Sequence, residues 1–347
     1  MRRIGLAFVL CIFALLFFAP FARGQSFDIV KVADGVYAGI GQHGVYANGA
    51  FIVNENDVLV VDTHLRPSWA RDLIAEIHKV TNNPVRYVVD THWHPDHMQG
   101  NQAYVAAFGP TVEYLAQHYT RDDMIAKGIP SVKEQLEKDV PEEMDRLQKE
   151  LAEGKDSDGK PLTADRRALL EQVLANDKTY LDELKQSKIV LPTMTFDRSL
   201  ILHKPGRDIE ILYFGKGHTR GDVVAYLPKE KVVCTGDLLT NGVPYMRDAY
   251  PVEWITTLEA MRNLDWNYAI PGHGGVQKGK DQLDKLIAYM KDMVAAVRDA
   301  ISKGMTLEQA KKSIDLSKHA ANFPNFSSGN AGAIDRTWAE LTGKIQD

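Results

Sequence analysis

Three histidines and one aspartate fall within six positions in the run Thr91-His92-Trp93-His94-Pro95-Asp96-His97. The run follows an apolar stretch, Tyr87 to Val89, that reads as the end of a strand. Histidine is the commonest protein ligand for zinc and similar metals. In an extended segment alternate side chains share a face, so His92 and His94 project together and can grip one cation. Pro95 breaks the strand, because it carries no N–H and fixes its own φ. Asp96 and His97 follow at the start of a helix, aimed elsewhere, where they can hold a second cation. The chain must therefore form a strand end, a sharp break and a helix start here. Its function rests on what else converges on the same volume.

The N-terminus reads as a secretory leader. Arg2 and Arg3 form a basic region, Ile4 to Phe18 is almost wholly apolar, and Ala22-Arg23-Gly24 offers small residues flanking a cleavage point. Residues 1–24 are assigned to the leader and the mature chain to 25–347, with an uncleaved anchor as the alternative. The apolar core is short against the about 20 residues of a spanning helix. Export to the periplasm or the extracellular space is the expectation, with no membrane attachment after cleavage. Of the two cysteines, Cys11 lies in the leader. Cys234 alone remains, so no intrachain disulfide is possible and the fold must rest on its core. The net charge of -5 and the lack of a basic stripe speak against nucleic acid.

Beyond the leader, strand-like and helix-like patterns alternate. Ala50 to Val53 and Val58 to Val61 are short β-rich runs around the turn composition Asn54-Glu55-Asn56-Asp57. Ser68 to Val80 places Leu73, Ile74 and Ile77 on one helical face. Val85 to Val89 is the strand that delivers the histidine cluster, and Met98 to Ala107 continues as a helix. From about 121 to 187 the chain turns rich in Glu, Lys, Asp and Leu at helical spacing. Asp156-Ser157-Asp158-Gly159 marks a turn and Thr163 an N-cap. This stretch reads as a helical hairpin inserted into a strand-rich domain, serving either as a lid or dimer arm or as a solvated helix pair. Strand patterns return at Leu200 to Leu202, Ile209 to Phe214, Val223 to Leu227 and Lys231 to Cys234. From Glu253 onward the chain is mostly helical, and Thr306-Leu307-Glu308-Gln309 fits a capping box.

Three more ligand candidates lie downstream, each at a strand end and beside a glycine: Gly217-His218, Gly236-Asp237 and Gly272-His273. Strand ends and the loops leaving them are where sheet enzymes place their chemistry. Glycine lets the backbone approach closely there.

With these residues in order, from Val60-Val61-Asp62 through the His-x-His-x-Asp-His motif to His218, Asp237 and Gly272-His273, the chain resembles the metallo-β-lactamase-fold hydrolases. The resemblance covers the mature chain apart from the helical insertion. It implies an α/β fold, an αββα sandwich of two mixed β-sheets flanked by helices. It implies a first metal on His92, His94 and His218, a second on Asp96, His97 and His273, and Asp237 bridging both. Two Zn²⁺ are the implied cofactors, with iron or manganese as alternatives. A metal-bound hydroxide would be the nucleophile, because a divalent ion lowers the pKa of its water towards about 7. Asp96 would orient it as a catalytic residue.

Asp237 stands where the best-known β-lactamase class carries a cysteine ligand. An aspartate there resembles the thioesterase, lactonase and phosphodiesterase branches. The expected activity is zinc-dependent hydrolysis of an ester, thioester, lactone or lactam bond in a small molecule. The alternatives are a β-lactamase proper and an iron-dependent redox enzyme of the same fold, similar to persulfide dioxygenases. Trp93, His118, Asn241 and Tyr245 are the candidate substrate contacts, with Tyr250 and Trp254 as further walls. Asp62 is expected to support the site without ligating, and Cys234 to be a core residue. His43 is expected in a turn or flap, and His64, His78, His203 and His319 at the surface or in the core. Substrate and oligomeric state are left open.

Overall fold

The computed structural model describes residues 26–42 and 47–345. The expected leader and His43 lie outside them. Two β-sheets face each other. The first holds seven strands in sequence order: β1 (Phe27–Ala33), β2 (Val36–Gly41), β3 (Gly49–Val53), β4 (Val58–Val61), β5 (Val85–Val89), β6 (Glu113–Gln117) and β7 (Met194–Phe196). Pairing is antiparallel through β4 and parallel from β4 to β7. The second holds β8 (Ser199–Lys204), β9 (Arg207–Leu212), β10 (Val224–Leu227), β11 (Val232–Gly236), β12 (Tyr268–Pro271) and β13 (Gln277–Lys278), in the order β13-β12-β11-β10-β9-β8. Only β11 and β12 run parallel there.

Side-chain alternation builds the layers. In β4, Leu59 and Val61 face the second sheet while Val58 and Val60 face the helices outside. The inter-sheet core also takes Ile52, Val89 and Leu115 from the first sheet and Ile211, Ala225 and Cys234 from the second. Helices Pro67–Val80 and Asn101–Phe108 cover the outer face of the first sheet. Helices Pro251–Arg262, Asp281–Ser302 and Phe326–Leu341 cover the second. The result is the expected αββα sandwich. Cys234 lies between the sheets, and burial pushes its thiol pKa up.

Each parallel pair needs a crossover, and these crossovers bring the carboxyl ends of β4, β5, β11 and β12 to one edge. The segment between β6 and β7 is helical from His118 onward. Two π-helical turns, Met124–Gly128 and Gln135–Asp139, interrupt its first arm, which ends at Glu153. Pro130 and Pro141 lie just beyond these turns and cannot donate the usual backbone bond, which favours a widened turn before each. The second arm, Ala164–Leu184, is N-capped by Thr163, whose Oγ1 accepts from Arg166 N at 3.2 Å. Thr306 and Gln309 form the capping box. Strands β1, β2, β7 and β13 were not expected from the sequence. β7 and β13 have only three and two residues, too few to show a period.

Candidate metal centre

His92 and His94 leave the end of β5, and His94 is the N-cap of the short helix Pro95–Met98. Pro95 occupies its first turn, so the chain turns at once and Asp96 and His97 project from the helix start. The alternation places His92 Nε2 3.1 Å from His94 Nδ1. His218, arriving from the loop between β9 and β10, puts Nε2 2.9 Å from His94 Nδ1. On the other side, His97 Nε2 lies 3.5 Å from Asp96 Oδ2 and 3.5 Å from Asp237 Oδ1. His273 Nε2 lies 3.3 Å from Asp96 Oδ2 and 3.3 Å from Asp237 Oδ2. Asp237 Oδ2 is also 3.4 Å from His218 Nε2. Asp237 therefore touches both groups.

The donor set fits divalent cations. Ligand atoms about 2.0–2.1 Å from a tetrahedral ion stand about 3.3–3.4 Å apart, close to the spacings seen here. His97 Nε2 and Asp237 Oδ1 are buried without a hydrogen-bond partner, a costly arrangement that a cation would resolve. Three ligand-type triads converge: His92, His94 and His218; His92, His97 and Asp237; and Asp96, His97 and His273.

Neighbouring side chains fix which ring nitrogen faces inward. Asp62, at the end of β4, accepts from Thr91 N at 2.9 Å and Thr91 Oγ1 at 2.9 Å, and its Oδ2 lies 2.7 Å from His97 Nδ1. That holds a proton on His97 Nδ1 and turns Nε2 towards Asp96 and Asp237. Asp62 does this at φ 61, a left-handed backbone that few non-glycine residues adopt. Thr91 Oγ1, already donating to Asp62, accepts from His92 Nδ1 at 3.0 Å. Asp248 Oδ2 lies 3.1 Å from His94 Nε2, so His94 presents Nδ1. Asp248 sits in an irregular loop with no motif around it, and sequence reasoning missed it. Gly272 is required beside the site: a Cβ there would stand 2.1 Å from Asp237 Oδ1.

The charges divide into two halves. Burial lowers the pKa of His218 to about 3 and holds His92 well below its usual value, helped by neighbouring imidazoles. Burial also opposes charge on His97, but Asp96, Asp237 and Asp62 together outweigh it and raise its pKa to about 9. For His273, Asp237 and Asp96 outweigh burial and raise it to about 11. Asp96 and Asp237 are held below the usual carboxylate range by those histidines, against burial.

The ligands open onto a cavity of about 570 Å³ lined by Trp93, Asp96, Lys127, Ser131, Tyr245 and His273, among others. A second space of about 400 Å³ adjoins it and shares Asp237, Tyr245 and His273. Tyr245, 59% exposed, stands between the two. Asn241 lines the second space, and its Oδ1 accepts from Gln277 Nε2 at 2.7 Å. The other candidate walls lie apart. His118 Nδ1 is 3.0 Å from Asp197 Oδ1, and neither cavity includes His118. Trp254 is fully buried in the core behind His218. Tyr250 is buried under Lys216, whose Nζ lies 4.5 Å from its ring centre. The aromatic signal at these two positions was a packing signal. His64 is buried against Phe27 and His319 beside Asp292, whereas His78 and His203 are exposed.

A family model described as the metallo-beta-lactamase superfamily matches residues 44–273. A linear primary-alkylsulfatase of Pseudomonas sp. (strain ATCC 19151) is 22% identical over 300 residues, covering 82% of this chain and 53% of that protein. A type 2 metallo-beta-lactamase of Bacteroides fragilis is 28% identical over 138 residues, covering 38% of this chain and 53% of that enzyme. The chain thus spans about half the length of these curated relatives. Among solved structures, a metallo-beta-lactamase from Pontibacter korlensis superposes with a TM-score of 0.54 at 17% identity, covering 76% of this chain and 99% of that one. TMB-1 does so at 0.52 and 14%, covering 77% and 97%. These two likenesses show the fold. Given the family match over residues 44–273 and a His/Asp cluster able to hold metal, the chain belongs to the metallo-beta-lactamase superfamily.

Proposed function

We propose that this chain is an exported hydrolase that holds two zinc ions and cleaves an ester, thioester, lactone or lactam bond in a small molecule. His92, His94 and His218 would hold one ion, Asp96, His97 and His273 the other, with Asp237 shared. The observation that carries the reading is Asp237, whose carboxylate lies within 3.5 Å of His97, His218 and His273. A divalent pair supplies, when bound, a water of lowered pKa and a polarising contact for the oxygen of the scissile bond.

The chain's own residues do the rest. Asp62 and Asp248 hold the rings of His97 and His94 in place. Asp96 lines the cavity and would orient the attacking water. Trp93 and Tyr245 wall the space where the substrate lies. An aspartate at position 237 resembles the ester-cleaving branches of the fold more than the lactamases with a cysteine there. The likeness to an alkylsulfatase across 82% of the chain brings sulfate esters into the same class. The export reading rests on Arg2, Arg3 and the apolar run Ile4 to Phe18. Among the described residues no helix is long and apolar enough to cross a membrane.

The test is a hydrolysis panel of lactams, lactones, thioesters, carboxylic esters and sulfate esters on the mature protein. Activity should vanish with chelator and return with Zn²⁺. Asp237→Ala should cost at least about 10²-fold in rate, since even outer partners of metal ligands cost 10- to 100-fold. Its metal content should fall below two per chain. A fully active Asp237→Ala protein would sink the mechanism, and iron in place of zinc would favour the redox alternative.

A further inference from the structure

The two spaces flanking Tyr245 differ in chemistry. The larger carries four charged side chains besides the ligand cluster: Lys127, Glu134, Arg247 and Asp248. The smaller carries none beyond the shared Asp237 and His273, and is walled by Thr240, Val243, Pro244 and Pro324 among others. Lys127 and Glu134 come from the insertion, at a spacing that puts them with Pro130 and Ser131 on one helical face.

Besides the ligand cluster the larger space carries two cations, Lys127 and Arg247, and two anions, Glu134 and Asp248. Asp123 accepts from Arg220 Nε at 3.0 Å and Nη2 at 2.9 Å, and the same carboxylate lies 3.1 Å from Lys127 Nζ. One buried carboxylate is thus shared between two cations. Lys127 leans across Trp93, its Nζ 5.4 Å from the ring centre, and so faces the ligand side of the cavity. Arg247 faces the same space from the loop beyond Asp237 and is exposed. On the acidic side, Asp248 lies 3.1 Å from His94 Nε2 and also faces Lys127 and Arg247, and Glu134, 3.6 Å from Lys138, faces Arg247.

We propose that Lys127 and Arg247 form an anion-reading subsite, and that the substrate has an anionic arm on the insertion side and a neutral arm beyond Tyr245. This rests on the hydrolase reading above. The insertion is thus a specificity wall that sets which esters are taken.

The experiment compares mono-4-nitrophenyl glutarate with 4-nitrophenyl butyrate on the zinc-loaded protein. The two have similar length and leaving group and differ in one carboxylate. The anionic ester should have the higher kcat/KM, and Lys127→Met should lower the ratio of the two by about tenfold, the loss of one charged contact. Lys127→Arg should keep most of the preference, and added salt should erode it. A ratio that is the same in wild type and Lys127→Met overturns the subsite. If neither ester is cleaved, the hydrolase reading fails for such esters, and the subsite is judged by calorimetry with glutarate. Binding weakened about tenfold by Lys127→Met upholds it. Unchanged binding overturns it.

Discussion

At the scale of single residues, the site is two half-sites of opposite protonation. Burial keeps His92 and His218 neutral, ready to ligate. His97 and His273, raised to about 9 and about 11 by Asp96 and Asp237, carry protons at neutral pH in the metal-free protein. A cation entering between Asp96, His97 and His273 must displace those protons. Protons hold His97 below pH about 9, so competition grows as pH falls and metal affinity there rises with pH. Should two zinc ions bind as proposed, titration of the apo protein in buffers of different ionisation heat should show more protons released on filling the site of His97 and His273 than on filling that of His92 and His218. Equal release for both would contradict the division. The seven ligand-type residues were readable from sequence because their types and strand-end glycines are distinctive. Asp248 was not: an aspartate in an irregular loop gives no local sign that it will meet His94.

At the scale of elements, the insertion meets the metal motif through Met124, which packs with Trp93 and Met98, and through Tyr180. Gln99, two residues beyond His97, donates Nε2 to Tyr180 Oη at 3.2 Å, and Tyr180 Oη donates to Gln135 Oε1 at 2.5 Å. Arg66 stacks on the same ring at 4.6 Å. Tyr180 thus joins both arms of the hairpin to the helix that starts with the ligands. Tyr180→Phe keeps the packing and removes both hydrogen bonds. It should cost about 1 kcal/mol, and about 2 °C in Tm for a chain this size. Limited proteolysis should cut the insertion sooner, and a variant as resistant as the wild type would show that the bonds do not anchor it. The helical pattern, the turn at Asp156 and the Thr163 cap were legible because they rest on local spacing. The face the hairpin turns to the cavity was not, because packing against Trp93 and Met98, distant in the chain, decides which face points inward.

At the scale of the whole molecule, the C-terminal helices hold the loop that carries Tyr245 and Asp248. Asn325 Oδ1 accepts from Val243 N at 2.7 Å and its Nδ2 donates to Val243 O at 2.9 Å. Arg336 Nε donates to Ala249 O at 2.6 Å, and Glu340 Oε2 accepts from Val252 N at 2.8 Å. All three anchors lie beyond the segment matched by the family model. Asn325→Ala should cost about 1–2 kcal/mol and raise KM with metal content unchanged, measured by melting, kinetics and metal analysis. An unchanged KM would show that the loop holds its shape alone. The sequence by itself determined most of the strands and helices and the clustered His and Asp residues, and the sandwich followed from the resemblance those residues carry. Strand alternation, helix caps and clustered histidines act over a few residues and leave a local pattern. Only the tertiary structure decided how Asp248 orients His94, how Tyr245 divides the cavity and which charges of the insertion face it. Those are contacts between segments distant in the chain, fixed when the sheets and helices pack together, and no short stretch of sequence carries them.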